Sequence, residues 1–118
     1  METRFAQVKD IAVAILPGDE LDDGNAAEFK EAIEPLLDTR KKWLIDLSAL
    51  RFIDSSGLGV LLSILRTVRD SGGDLKLTGL NASVRMVFEI VRLHRVFDIY
   101  EDQLAALEAF GPKAAIAA

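Results

Sequence analysis

The sequence predicts an α/β fold built on one central mixed sheet of about five strands with four helices packed on it. Three observations carry this reading. Apolar segments of strand length alternate with segments of helical spacing in the order β-β-α-β-α-β-α-β-α. Such alternation implies parallel strands covered by helices. The first two strands are joined too tightly for a crossover helix, so they add an antiparallel edge. The length of 118 residues suits one domain with a proper core, and the chain shows no repeat and no linker.

The elements follow in order. Phe5-Ala6-Gln7-Val8 and Ile11 to Leu16 read as strands around a tight turn at Lys9-Asp10, and Pro17-Gly18 ends the second. Asp19 to Gly24 is an acidic loop. Asn25 is expected to cap a helix, with Glu28 reaching back to it. Ala26, Phe29, Ile33, Leu36 and Leu37 keep helical spacing, and Pro35 should kink or loosen the last turn. Trp43 to Leu47 is apolar with little alternation, as in a strand covered on both faces.

Leu58, Leu61, Leu62, Leu65 and Val68 mark one face of a helix from about Ser56 to Ser71. Gly72-Gly73 supplies its left-handed stop. Leu75 to Thr78 alternates as a strand. Asn81 caps the next helix, with Val84, Val87, Phe88 and Val91 facing inward. Val96 to Tyr100 is a short strand. Asp102 caps a last helix through about Phe110, which Gly111-Pro112 ends. The domain is expected over residues 1–110, with 111–118 as a flexible C-terminal tail.

Composition narrows the function. The net charge is −5, and no basic cluster is longer than Arg40-Lys41-Lys42. That argues against nucleic acid as the main partner, because phosphate contacts dominate such binding. The chain has no cysteine and a single histidine, His94. It therefore offers no disulfide framework and no thiolate or histidine-rich metal site. No apolar run approaches the ~18–20 residues that cross a bilayer, and Met1-Glu2-Thr3-Arg4 lacks the order of a signal peptide. A cytoplasmic protein without membrane insertion is expected.

The most informative stretch is Asp54-Ser55-Ser56-Gly57, where an extended segment hands over to a helix. The first amides of a helix lack intrahelical partners, and the dipole favours negative charge there. A serine at that place can cap the helix, attack a substrate or carry a phosphate. Capping alone would select these residue types. A nucleophilic serine needs a nearby base. The only imidazole, His94, lies between Leu93 and Arg95 and reads as a helix C-terminal residue. The turn is neither Gly-x-Ser-x-Gly nor Ser-x-x-Lys. P-loop and dinucleotide-binding glycine patterns are absent. A phosphoreceiver should show a lysine after a late strand, and that lysine is missing. A serine phosphorylated by another enzyme needs only an exposed hydroxyl. The added charge, about −1.5 to −2, is tolerated at a helix N-terminus, so modification should alter the surface rather than unfold the domain. Asp22, Asp23 and Asp54 should gather at the same end of the sheet.

Asp54-Ser55-Ser56-Gly57-Leu58-Gly59-Val60-Leu61-Leu62, after Ile45-Asp46-Leu47-Ser48-Ala49-Leu50-Arg51-Phe52-Ile53, resembles the core signature of STAS domains. It is most similar to the stand-alone bacterial anti-sigma factor antagonists. Leu21-Asp22-Asp23-Gly24-Asn25-Ala26 resembles that family's Leu-Asp-x-x-Asn/Thr-Ala segment. Gly72-Gly73-Asp74-Leu75-Lys76-Leu77 and Val96-Phe97-Asp98-Ile99-Tyr100 also fit, so the resemblance spans about Phe5 to Phe110. One departure is Gly18-Asp19-Glu20-Leu21-Asp22, which carries one residue more than the family's Gly-x-Leu-Asp.

The resemblance implies a binding module and not an enzyme, with no cofactor of its own. It implies Ser55 as phospho-acceptor, with Ser56 as the neighbouring helix cap. Asp22, Asp54, Ser56, Gly57, Leu58 and Val60 would meet the partner. Val60 and Ile64 are expected at the core rim or in apolar contact with a kinase. The implied partners are an anti-sigma factor with GHKL-type serine kinase activity and a PP2C-type phosphatase, acting on a monomer. Alternative roles are a STAS subunit of a non-transcriptional assembly, in lipid transport or a stressosome-like complex, and a small-ligand or nucleotide sensor whose serine turn binds an anion or nucleotide noncovalently.

Overall fold

The computed structural model describes residues 2–117, with side chains through Phe110. The elements are β1 (Arg4–Val8), β2 (Ile11–Ile15), β3 (Glu20–Leu21), α1 (Ala26–Ile33), β4 (Lys42–Asp46), β5 (Phe52–Ile53), α2 (Ser55–Asp70), β6 (Asp74–Thr78), α3 (Ala82–Ile90), β7 (Asp98–Tyr100) and α4 (Gln103–Ala117). The main sheet has five strands in the order β1-β2-β4-β6-β7. The β1–β2 hairpin is antiparallel, and every other pairing in the sheet is parallel. This is the predicted fold.

Register decides which side chains meet which helices. Val13 pairs with Leu44, and Leu44 with Lys76, so these three share a face. Ala12, Trp43 and Leu75 align one residue earlier and point the other way. Helices α1, α2 and α3 cover the second face, packing Phe29, Leu61, Leu65 and Phe88 on Trp43, Ile45 and Leu77. Helix α4 covers the first face, with Ala106 and Phe110 against Ile11, Val13 and Leu44. Lys76 is buried on that face too. Its Nζ bonds Asp74 at 3.1 Å and Asp98 at 3.3 Å and lies 4.8 Å from the Phe110 ring centre. Burial alone would lower its pKa, but the Asp74 hydrogen bond and the neighbouring charges outweigh that and raise it.

Several expectations hold in detail. Pro35 ends the regular α-helix, and the chain continues as a 3-10 turn over Glu34–Leu36. Gly72 has φ +80 after α2, and the Gly73 amide donates to Val68 O at 2.8 Å. Asn81 Oδ1 accepts from Val84 N, and Asp102 Oδ1 from Ala105 N, each at 2.9 Å. His94 sits exposed in a 3-10 turn after α3.

Other expectations need correction. Asn25 places no side-chain cap on α1. Its Oδ1 accepts from Asp22 N and its Nδ2 donates to Glu20 O, so it braces the loop before the helix. The start of α1 is instead taken by Asp22 O, which accepts from the Asn25 and Ala26 amides. Ile64 is fully buried, because α1 packs beside α2 and widens its inner face beyond one stripe. Val91 is exposed, because α3 ends there and the chain turns outward at Arg92, in left-handed conformation. Helix α4 is drawn past the expected stop at Gly111-Pro112. Lys113 to Ala117 carries high helix propensity, which suits that extension. The expected flexible tail, 111–118, falls outside the described side chains.

Candidate functional site

The site is built where β3 and β5 pair in parallel beside the main sheet, Glu20 with Phe52 and Leu21 with Ile53. The sequence reading missed this ladder, since two residues show no periodicity. Asp19 O accepts from Arg51 N at 2.7 Å and from Phe52 N at 3.0 Å, and Leu21 O accepts from Asp54 N at 3.2 Å. The strand pair therefore delivers the acidic loop directly to the start of α2.

Asp54 is the helix cap, not Ser56. Its Oδ1 accepts from Gly57 N at 3.0 Å, and its carbonyl accepts from Leu58 N at 3.0 Å. Its other carboxylate oxygen accepts from Asp23 N at 3.1 Å. One carboxylate thus caps α2 and staples the acidic loop to it. The physical reason is position: the ladder ends at Asp54, so Asp54 holds the extended conformation that a cap requires. Ser55 and Ser56 fall inside the first helical turn. Neither hydroxyl bonds to the chain among the described residues. Ser55 is exposed and Ser56 half-buried.

The glycines on either side of Leu58 differ. A Cβ on Gly57 would lie 2.5 Å from Leu21 O and 2.8 Å from Ile53 Cγ1. The close crossing of α2 over β3 therefore demands glycine there. A Cβ on Gly59 would meet nothing within 4 Å. Leu58 points into the core. Gly57 and Leu58, expected in the partner surface, are buried in this structure and shape the turn from inside. Val60 is half-buried at the rim, and Ile64 is withdrawn into the core.

Negative charge surrounds the turn as expected. Asp22 accepts from Gly24 N at 2.9 Å, so its carboxylate is fixed in the loop. The hydrogen bond to Asp22, with the charges of Asp22 and Asp19, raises the Glu20 carboxyl above its ordinary value. The structure thus brings Asp22, Asp23 and Asp54 together beside Ser55. Among the described residues no cluster of His, Asp and Glu is arranged to hold a metal ion, and no helix is long and apolar enough to cross a membrane. Ser55 thus presents an exposed, unbonded hydroxyl at a helix start beside the carboxylates of Asp22, Asp23 and Asp54.

Comparison with known proteins agrees with this architecture. A Thermotoga maritima protein is 34% identical over 104 residues, which cover 86% of this chain and 92% of that protein. The crystal structure of the Thermotoga maritima protein TM1081 superposes with a TM-score of 0.83 at 31% identity, covering 91% of this chain and 92% of that one. The anti-sigma-B factor antagonist of Bacillus subtilis is 33% identical over 68% of this chain and 73% of its own length. The STAS domain description matches residues 5–106. With the five-stranded sheet and the Asp54 turn in place, the chain belongs to the STAS domain family.

Proposed function

We propose that this chain is an anti-sigma factor antagonist working as a phosphorylation-controlled partner switch. The observation that carries the reading is Ser55: an exposed hydroxyl, free of intramolecular bonds, directly after a carboxylate cap in an acidic turn. The name of the Bacillus subtilis relative supports the class of partner. Unphosphorylated, the turn binds an anti-sigma factor with GHKL-type serine kinase activity and so frees a sigma factor. Asp22, Asp54, Ser56 and Val60 form the contact around Ser55, while Gly57 and Leu58 hold its shape.

The kinase then transfers the γ-phosphoryl group of ATP to Ser55 Oγ. The new P–O bond forms as ADP leaves, and the hydroxyl proton passes to a base on the kinase. ATP and Mg²⁺ belong to the kinase, and this chain acts as a binding module. A PP2C-type phosphatase returns the serine by hydrolysis. The switch works at the surface. The helix dipole tolerates the added charge, whereas Asp22, Asp23 and Asp54 already make the turn negative. Desolvating a dianion against a packed interface costs several kcal/mol, and about 2 kcal/mol already shifts an equilibrium about thirtyfold.

Parallel affinity purification with Ser55→Ala and Ser55→Asp baits tests this. An ATP-binding kinase retained by the first bait and lost by the second is the expected result. The same partners on both baits, or transport subunits in place of a kinase, would overturn it.

A further inference from the structure

Helix α3 leaves an apolar face uncovered. Met86, Ile90, Val91 and Val96 are 58%, 72%, 49% and 36% exposed. Met86 and Ile90 are one helical turn apart. Val96 is joined to α2 through Arg69, whose Nη2 donates to Val96 O at 3.1 Å. Together the four residues expose on the order of 400 Å² over α3 and the turn after it.

The surroundings are basic in a chain of net charge −5. Arg85, Arg92 and Arg95 lie in or just after α3, Arg69 adjoins Val96, and Glu89 is the only carboxylate from Ser83 to Phe97. Arg92 adds a second observation. It has φ 62 at the end of α3, where glycine is the unstrained residue. The fold would be served by glycine, and a cation stands there.

The patch also lies away from Ser55. Helix α2 starts at the carboxyl edge of the parallel strands, whereas the turn after α3 leads into the amino end of β7 at Asp98. We infer that the outer face of α3, with the turn after it, is a second docking surface, taken by an amphipathic helix of a partner protein whose apolar stripe is flanked by Asp and Glu. Charge complementarity selects the acidic flanks. The area suits one helix lying on the patch and falls short of the ~800 Å² per partner of a standard dimer. No aromatic anchor is exposed among the four, and the negative net charge opposes an anionic bilayer.

Methyl-labelled protein titrated with a designed helical peptide tests this. The peptide carries leucines at i, i+3, i+4 and i+7 flanked by glutamates, and a control carries lysines in place of the glutamates. Saturable shifts of the Met86, Ile90 and Val91 methyls are expected with the acidic peptide alone. Ile90→Glu should weaken binding by about tenfold or more. Arg92→Gly should weaken it severalfold while the melting temperature holds or rises, which separates lost charge from lost fold. Ser55→Asp should leave the affinity unchanged. Absence of saturable shifts, equal binding of both peptides, or parental affinity in Ile90→Glu and Arg92→Gly would overturn the inference. So would loss of binding in Ser55→Asp. Binding of phosphatidylglycerol vesicles through the same methyls would reassign the surface to membranes, and self-association removed by Ile90→Glu would reassign it to a second copy.

Discussion

Helices α2 and α3 begin at the same edge of the sheet, and each is capped by a side chain that accepts from the amide three residues on. At α3 the cap is neutral. Asn81 accepts from Val84 N at 2.9 Å, and its amide donates to Leu50 O at 2.9 Å, so its bonds stay within the chain. Ala82 and Ser83 follow it. At α2 the cap is a carboxylate shared with the loop amide of Asp23, and two free serines follow. The α3 start shows that this fold needs a cap but no unbonded serine directly behind it. Capping therefore explains Asp54 and leaves Ser55 unexplained by stability. The partner exchange we propose is assigned to that residue.

The two helix starts predict effects of decreasing size. Ser55→Asp should weaken partner binding by about tenfold or more, while Ser83→Asp, at the other helix start, should leave it within about twofold. Titration calorimetry with the recovered partner reads both. Gly57→Ala should cost about 1–3 kcal/mol in denaturant unfolding, because the new methyl strikes Leu21 O. Gly59→Ala should instead gain about 0.5–1 kcal/mol, since its methyl meets nothing. If Gly57→Ala melted like the parent, the close crossing at the turn would be wrong.

Asp54→Ala and Asn81→Ala should each lose about 0.5–2 kcal/mol as capping losses. Ser56→Ala should stay within about 0.5 kcal/mol, and a capping-sized loss there would return the cap to Ser56. The smallest effect is a titration. The Glu20 carboxyl, raised by the Asp22 hydrogen bond and charge and then by Asp19, favours the folded state when protonated. Its contribution is full below the unfolded value, about 4.3, and is lost as pH rises through the higher folded value. A carboxyl-carbon NMR titration should place Glu20 above that reference. A value at or below it would show that the acidic end is less crowded than the geometry indicates.

Much of this was legible in the sequence, for physical reasons. Ile11 to Ile15 and Trp43 to Asp46 are runs that only a covered strand would carry, so the sheet and its order were readable. Pro35 and Gly72 act through local backbone sterics, and both did what the local rule predicts. The β3–β5 ladder was not legible, because it joins residues thirty-two apart through two-residue strands without periodicity. The cap at α2 was ambiguous for a related reason. Asp, Ser and Ser are all good caps, and the choice falls to where the ladder ends, which is a tertiary fact. Ile64 is buried deeper than the rim expected of it, and Val91 is exposed where burial was expected, because a helical wheel cannot show α1 beside α2 or the left-handed exit at Arg92. The gathering of Asp22, Asp23 and Asp54 was legible from the rule that loops cluster at the carboxyl ends of parallel strands.

The proposed switch is tested most directly by titrating the partner retained by Ser55→Ala against this protein before and after that partner has phosphorylated it with ATP. One phosphate, on Ser55, and a dissociation constant raised about thirtyfold or more are expected. An unchanged dissociation constant, or a phosphate found on Ser56 or Ser83, would contradict it.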